Sequence, residues 1–160
     1  MMYKRNKIIL SFDLDNTLID NREGIVDSFN YALEKLTVPK IEKSEIKKMI
    51  GIPLNEMFAS VSDQHKYHSE LISAFREFYG KRGIYQATLL PGIKSKLKQL
   101  KDLSFTLGII TSKKQEMAKR VVEILQIQTY FDYVLGETED RRELGKLDPK
   151  QNLLLYLVVL

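Results

Sequence analysis

Apolar positions recur along this chain with two different periods. Lys7 to Phe12 is a short apolar run with no helical period, and it reads as a buried strand. A polar stretch, Asp13 to Asn21, follows. Ile25, Phe29, Leu33 and Leu36 then fall at helical spacing, so a helix is predicted from Arg22 to about Leu36, broken by Val38-Pro39. Ser44 is placed to cap a short helix carrying Ile46, Met49 and Ile50, and Gly51 stands where that helix would end. Another short helix is predicted from Pro53 to about Val61. A longer one runs from about Asp63 to Tyr79, with Leu71, Ile72, Phe75, Phe78 and Tyr79 on one face, and Gly80 and Gly83 end it. Residues 20–85 thus read as four helices without a strand.

Beyond residue 85 strands return. Pro91-Gly92 opens a helix that turns Ile93, Leu97 and Leu100 inward, and Phe105 to Thr111 reads as a second buried strand. Met117, Ala118, Val121, Val122 and Leu125 mark the next helix, and Tyr130 to Leu135 a third strand. Strands alternating with helices imply right-handed crossovers and a parallel sheet. The pattern is that of an α/β core, residues 1–19 and 86–160, with a helical insert over 20–85 after the first strand.

Length and composition narrow the classes. A chain of 160 residues is about one domain's worth, with room for a small insertion. Apolar residues at 44% and charged residues at 29% are ordinary for a globular protein and exclude a disordered or fibrous one. No cysteine is present, which removes disulfides, thiolate metal sites and cysteine nucleophiles. A net charge of +4 is too small to argue for nucleic acid. The basic start, Met1 to Lys7, is followed only by Ile8-Ile9-Leu10 before Asp13, which is no signal peptide. The longest apolar run, Leu153 to Leu160, falls well short of the roughly 20 residues of a membrane helix. The expectation is a cytoplasmic protein with neither membrane nor nucleic acid as partner.

In a parallel α/β sheet, ligands bind beyond the carboxyl ends of the strands. Three polar groups fall there. Asp13-Leu14-Asp15-Asn16-Thr17 follows strand one and offers two carboxylates two residues apart, one able to attack while the other moves protons. Thr111-Ser112-Lys113 follows strand two and offers hydroxyls and N–H groups at a helix N-terminus, which suits a phosphate. Lys146, after strand three, supplies a fixed positive charge for a dianion.

Phe12-Asp13-Leu14-Asp15-Asn16-Thr17-Leu18 resembles the first motif of the haloacid dehalogenase-like hydrolases. Gly108-Ile109-Ile110-Thr111-Ser112-Lys113 resembles the second, and Lys146-Leu147-Asp148-Pro149 the third. The helical insert, Ile50-Gly51-Ile52-Pro53-Leu54 and Leu90-Pro91-Gly92-Ile93 are similar to the phosphoglycolate phosphatase-like branch. The resemblance implies a Rossmann-like parallel sheet with an all-helical cap, and a phosphate-monoester hydrolase for a small phosphorylated metabolite. It implies that Asp13 attacks phosphorus to form an aspartyl phosphate and that Asp15 serves as general acid and base. Thr111 and Ser112 would hold phosphoryl oxygens, and Lys146 would neutralise developing charge. Magnesium would bridge Asp13, the backbone carbonyl of Asp15 and the phosphate, while the cap excludes water and selects the leaving group.

Two departures from the family pattern shape the expectations. Leu147 stands where a proline usually follows the lysine. The acidic Gly-Asp motif that completes the magnesium site has no match after Lys146, where Asp148 is the only acid; Glu137, Glu139 and Asp140 all precede the lysine. The chain therefore reads as truncated before the fourth motif. Weak magnesium binding is expected, as is an unpaired edge on strand one. A helix is expected from near Pro149, and its apolar side chains from Leu153 to Leu160 make self-association an expectation. A binding remnant without catalysis and a sugar phosphomutase are the alternative functions, the latter disfavoured by Asn16. His65 and His68 read as surface residues, Lys94, Lys98 and Lys101 as a solvated stripe, and Met49 and Met57 as cap packing.

Overall fold

The computed structural model describes residues 9–61 and 67–138. Its strands are β1 (Ile9–Phe12), β2 (Ile19–Asp20), β3 (Thr88–Leu89), β4 (Thr106–Lys114) and β5 (Tyr133–Glu137). Its α-helices are α1 (Arg22–Lys35), α2 (Lys43–Met49), α3 (Leu54–Ala59), α4 (His68–Lys81), α5 (Ile93–Asp102) and α6 (Gln115–Ile124). The chain divides into two compact units, Met1–Asp20 with Thr88–Leu160, and Asn21–Ala87. The fold class is α/β with a parallel sheet.

In the α/β unit the strand order is β1-β4-β5, both pairs parallel. Among the described residues β1 is an edge strand. Ser11, Gly108 and Tyr133 stand side by side across the three strands. A Cβ on Gly108 would come within 2.0 Å of the Tyr133 ring. The bare glycine thus lets the ring cross the central strand, so that the Tyr133 and Ser11 hydroxyls share a 2.6 Å hydrogen bond. Entry to β5 is organised by Asp132, whose N–H donates to the Leu107 carbonyl at 2.8 Å. Its carboxylate accepts from the Leu107 N–H at 2.9 Å and from Lys101 at 3.0 Å. This arrangement starts the strand at Tyr133 rather than Tyr130, after a 3₁₀ turn over Gln128–Tyr130. The ribbon of β2 and β3 pairs Ile19 with Leu89 and Asp20 with Thr88, and was not foreseen. Two residues are too few for any periodicity to register.

The helical unit holds α1 to α4 and a 3₁₀ turn, Gly83–Gln86. Phe29 stacks on Phe58 at 4.3 Å, Phe75 meets Phe58 edge-on, and Phe75 stacks on Tyr79 at 5.9 Å. Met57 is buried in this unit, as packing required, whereas Met49 is half-buried and accepts a hydrogen bond from the Ser60 hydroxyl. A Cβ on Gly24 would stand 2.2 Å from the Gly83 carbonyl oxygen, so α1 and the 3₁₀ turn touch backbone to backbone. Gly80 lies inside α4 and does not end it; Gly83 serves this close approach instead. Ser44 does not cap α2. The helix already starts at Lys43, and the Glu42 carbonyl receives the N–H groups of Glu45 and Ile46. Gly51 follows α2 at φ +119°, a conformation that favours glycine. The described part of the predicted helix over 63–79 begins at His68, which is half-buried at its first turn.

Glu77 of α4 accepts hydrogen bonds from Lys35 of α1 at 2.8 Å and from Lys81 at 2.9 Å. These two ammonium groups hold its carboxyl at about 2, down from 4.5, and the bond to Glu77 raises the Lys35 ammonium in return. A carboxyl depressed in the folded state stabilises fully above its unfolded value and loses that contribution as pH falls through its folded value. The Glu77 contribution should therefore be full above about pH 4.5, shrink below it and be gone only once the pH is below about 2. Carboxyl-carbon NMR should give a Glu77 midpoint near 2, and Lys35→Met should raise it.

Candidate active site

The first candidate motif leaves the sheet where β1 ends. Phe12 is buried opposite Ile109 of β4, and Phe131 meets its ring edge-on. Beyond Phe12 the chain folds into a tight loop. The Leu14 carbonyl accepts N–H groups from Thr17, Leu18 and Ile19 at 3.4, 3.0 and 3.2 Å. Leu14 and Leu18 are driven into the core, while Asp13 and Asp15, on either side of Leu14, remain half-buried. Asn16 takes φ +60°, which asparagine tolerates better than most side chains. Asp13 has no hydrogen bond or ion pair among the described residues. Asp15 differs: its Oδ2 lies 3.0 Å from Nζ of Lys113.

The second candidate motif lies on β4, whose parallel pairing to β1 puts the ends of the two strands side by side. The pairing of β4 with β5 is irregular here. Ile110 faces Leu135 and Lys114 faces Glu137, so three residues of β4 stand against the single Gly136. Gln115 fills the gap: its amide donates to the Val134 carbonyl at 2.9 Å, and its Oε1 accepts the Gly136 N–H at 2.7 Å. A Cβ on Gly136 would be 2.6 Å from the Lys113 carbonyl oxygen, so no larger residue fits this contact without a shift.

The backbone stays extended through Lys114, and α6 begins only at Gln115. This corrects the reading of Thr111 and Ser112 as a helix N-terminus: both belong to the bulged strand. Thr111 is buried, and its Oγ1 accepts the Lys113 N–H at 3.3 Å; Ser112 is exposed. Lys146 lies outside the described residues, as do Asp148, the predicted helix near Pro149, the apolar stretch Leu153 to Leu160, and Glu139, Asp140 and His65. Glu137 is described and ends β5. Lys94 and Lys98 are exposed on α5, in keeping with a solvated stripe, and Lys101 is tied to Asp132.

Lys113 is the residue that sequence reasoning passed over. Its place two residues after Thr111 was visible, but nothing local says that its ammonium reaches Asp15. A divalent cation could be held by hard oxygen donors of two kinds, the Asp13 carboxylate and the main-chain carbonyl of Asp15. The family resemblance implies that pair of donors; in the structure Lys113 engages one oxygen of the Asp15 carboxylate. Among the described residues no three His, Asp or Glu side chains cluster.

The family model of the haloacid dehalogenase-like hydrolases matches residues 9–154. The chain belongs to this family. It is similar to the "Probable phosphatase IndB" of Dickeya dadantii, 33% identical over an alignment of 135 residues that covers 81% of this chain and 59% of that protein. It is also similar to the phosphoglycolate phosphatase of Aquifex aeolicus, 28% identical over 80% of this chain and 60% of that one. The chain thus spans about three-fifths of the length of these relatives. Among solved structures, a haloacid dehalogenase-like hydrolase of Streptococcus pneumoniae superimposes with a TM-score of 0.78 at 30% identity, covering 88% of this chain and 70% of the other. Among the described residues no helix is long and apolar enough to cross a membrane.

Proposed function

We propose that this chain carries the phosphoryl-transfer chemistry of a phosphate-monoester hydrolase for a small phosphorylated metabolite. The observation that carries the reading is the juxtaposition at the ends of β1 and β4. A half-buried Asp13, with no side-chain partner among the described residues, is followed two residues later by an Asp15 paired with Lys113, next to the strand that bears Thr111. Family membership and the phosphatases among the relatives support it.

In this reading an Asp13 oxygen attacks phosphorus as the bond to the ester oxygen breaks. The bonding pair goes to that oxygen, which takes a proton from the Asp15 carboxyl. Water then attacks the phosphorus of the aspartyl phosphate and gives its proton back to Asp15, releasing inorganic phosphate and the Asp13 carboxylate. Thr111 and Ser112 hold phosphoryl oxygens, and Lys146 balances the charge that develops on them. Magnesium, held by the Asp13 carboxylate and the Asp15 carbonyl, would offset negative charge on the phosphoryl group.

The test is phosphate release from p-nitrophenyl phosphate and from a simple alkyl phosphate, with and without magnesium. Magnesium-dependent release from both is expected. No release from either ester at millimolar substrate and magnesium would overturn the reading.

A further inference from the structure

We infer that Lys113 is a positioning residue for proton transfer at Asp15. This rests on the phosphatase reading above and deepens it.

Burial sets the Lys113–Asp15 pair apart. The Lys113 side chain is 10% exposed and that of Asp15 29%, whereas the lysines of the other described ion pairs are 33–72% exposed. An exposed pair contributes little and costs little. A lysine withdrawn from water loses hydration that ion pairing does not fully restore, so stability alone is a weak reason to build one. Orientation is a better reason. A carboxyl group held at Oδ2 by a fixed ammonium cannot rotate freely about its Cβ–Cγ bond, so the proton it transfers at Oδ1 keeps a set direction.

The lysine itself is well fixed. Its N–H is bonded to Thr111 Oγ1 at 3.3 Å, and its carbonyl lies against Gly136, where a Cβ would be 2.6 Å away. Gln115, two residues on, clamps the Val134 carbonyl and the Gly136 N–H on β5. The bulge that breaks the β4–β5 ladder is what places Lys113 here. Thr111, Lys113 and Asp15 are thereby linked, so the group assigned to the phosphoryl oxygens and the group assigned to the leaving oxygen share one rigid support. Lys113 touches Asp15 and acts through it.

A positioning role for the proton donor has a signature that a purely structural role lacks. Help from a general acid matters most when the leaving oxygen is a strong base. Lys113→Met should lower kcat/KM, which reports the first step alone, by about 10²-fold on an alkyl phosphate but by only about tenfold or less on p-nitrophenyl phosphate, whose leaving oxygen needs little protonation. On the alkyl ester, where the first step limits, KM should stay within about threefold, because the interaction serves the transition state. Lys113→Arg, which keeps the charge, should recover at least about tenfold on the alkyl ester. Independently of turnover, the Lys113 ammonium should give a nitrogen-15 NMR signal that Asp15→Asn shifts or broadens.

An equal fractional loss on the two esters, an arginine variant no better than the methionine one, or an ammonium signal indifferent to Asp15→Asn would each overturn the inference. If the unsubstituted chain hydrolyses neither ester, the phosphatase reading falls, and this inference with it. That failure shows in the parent protein before any variant is made.

Discussion

Asp13→Asn is expected to abolish phosphate release from both aryl and alkyl phosphates. A neutral amide oxygen is too weak a nucleophile to displace an ester oxygen from phosphorus, and no other described group has the same place at the end of β1. Asp15→Asn should behave differently. It keeps the nucleophile and removes the proton carrier, which is worth about 10²–10⁴-fold. The two variants should also separate in a labelling experiment. After acid quench with substrate labelled in the phosphoryl group, Asp15→Asn should retain label on the protein because the second step is slowed as well. Asp13→Asn should carry none. Since Asp13 has no side-chain partner among the described residues, its substitution should leave thermal unfolding nearly unchanged. Undiminished hydrolysis by Asp13→Asn would move the nucleophile elsewhere.

The largest stability effect is expected at Phe58. Its side chain is fully buried in the helical unit, stacked on Phe29 at 4.3 Å and meeting Phe75 edge-on. Truncation removes apolar burial and two aromatic contacts, and it leaves a cavity among α1, α3 and α4 that these helices cannot fully close. Phe58→Ala should cost about 3–5 kcal/mol, and Phe58→Leu, which refills most of the volume, markedly less. Denaturant unfolding followed by circular dichroism measures both. A cost under about 1 kcal/mol for the alanine variant would mean that the helices repack around the loss.

Much of the fold is legible in the sequence because long elements carry their own period. α1 is bounded at Arg22–Lys35, within a residue of the limits that Ile25, Phe29, Leu33 and Leu36 imply. α5 opens where Pro91-Gly92 says it must, with Gly92 at φ +80°. Elements shorter than one period leave no such trace, and the ribbon of Ile19–Asp20 with Thr88–Leu89 is the example. Capping is legible only when the first helical turn is known. Ser44 has the right chemistry, but α2 starts one residue before it.

For the candidate site, the types and spacing of Asp13, Asp15 and Thr111 could be read directly, since each follows an apolar run, although the run before Asp13 starts at an exposed Ile9. What could not be read is that β4 continues through Lys114. The local sequence Thr111-Ser112-Lys113-Lys114 suits a helix start as well as a strand end. The choice is made by a partner strand: Gly136 admits the bulge, and Gln115 replaces the missing ladder bonds.

Sequence by itself determined the alternation of strands and helices, the helical insert and the positions of the two aspartates, because these depend on interactions between residues near in the chain. Tertiary structure alone decided that Lys113 meets Asp15 and that Tyr133 crosses Gly108 to reach Ser11. The Lys113–Asp15 and Tyr133–Ser11 contacts join residues far apart in the chain, 122 positions for the second. They exist only because strand pairing sets a register between β1 and β4 and between β4 and β5, and no local preference encodes that register.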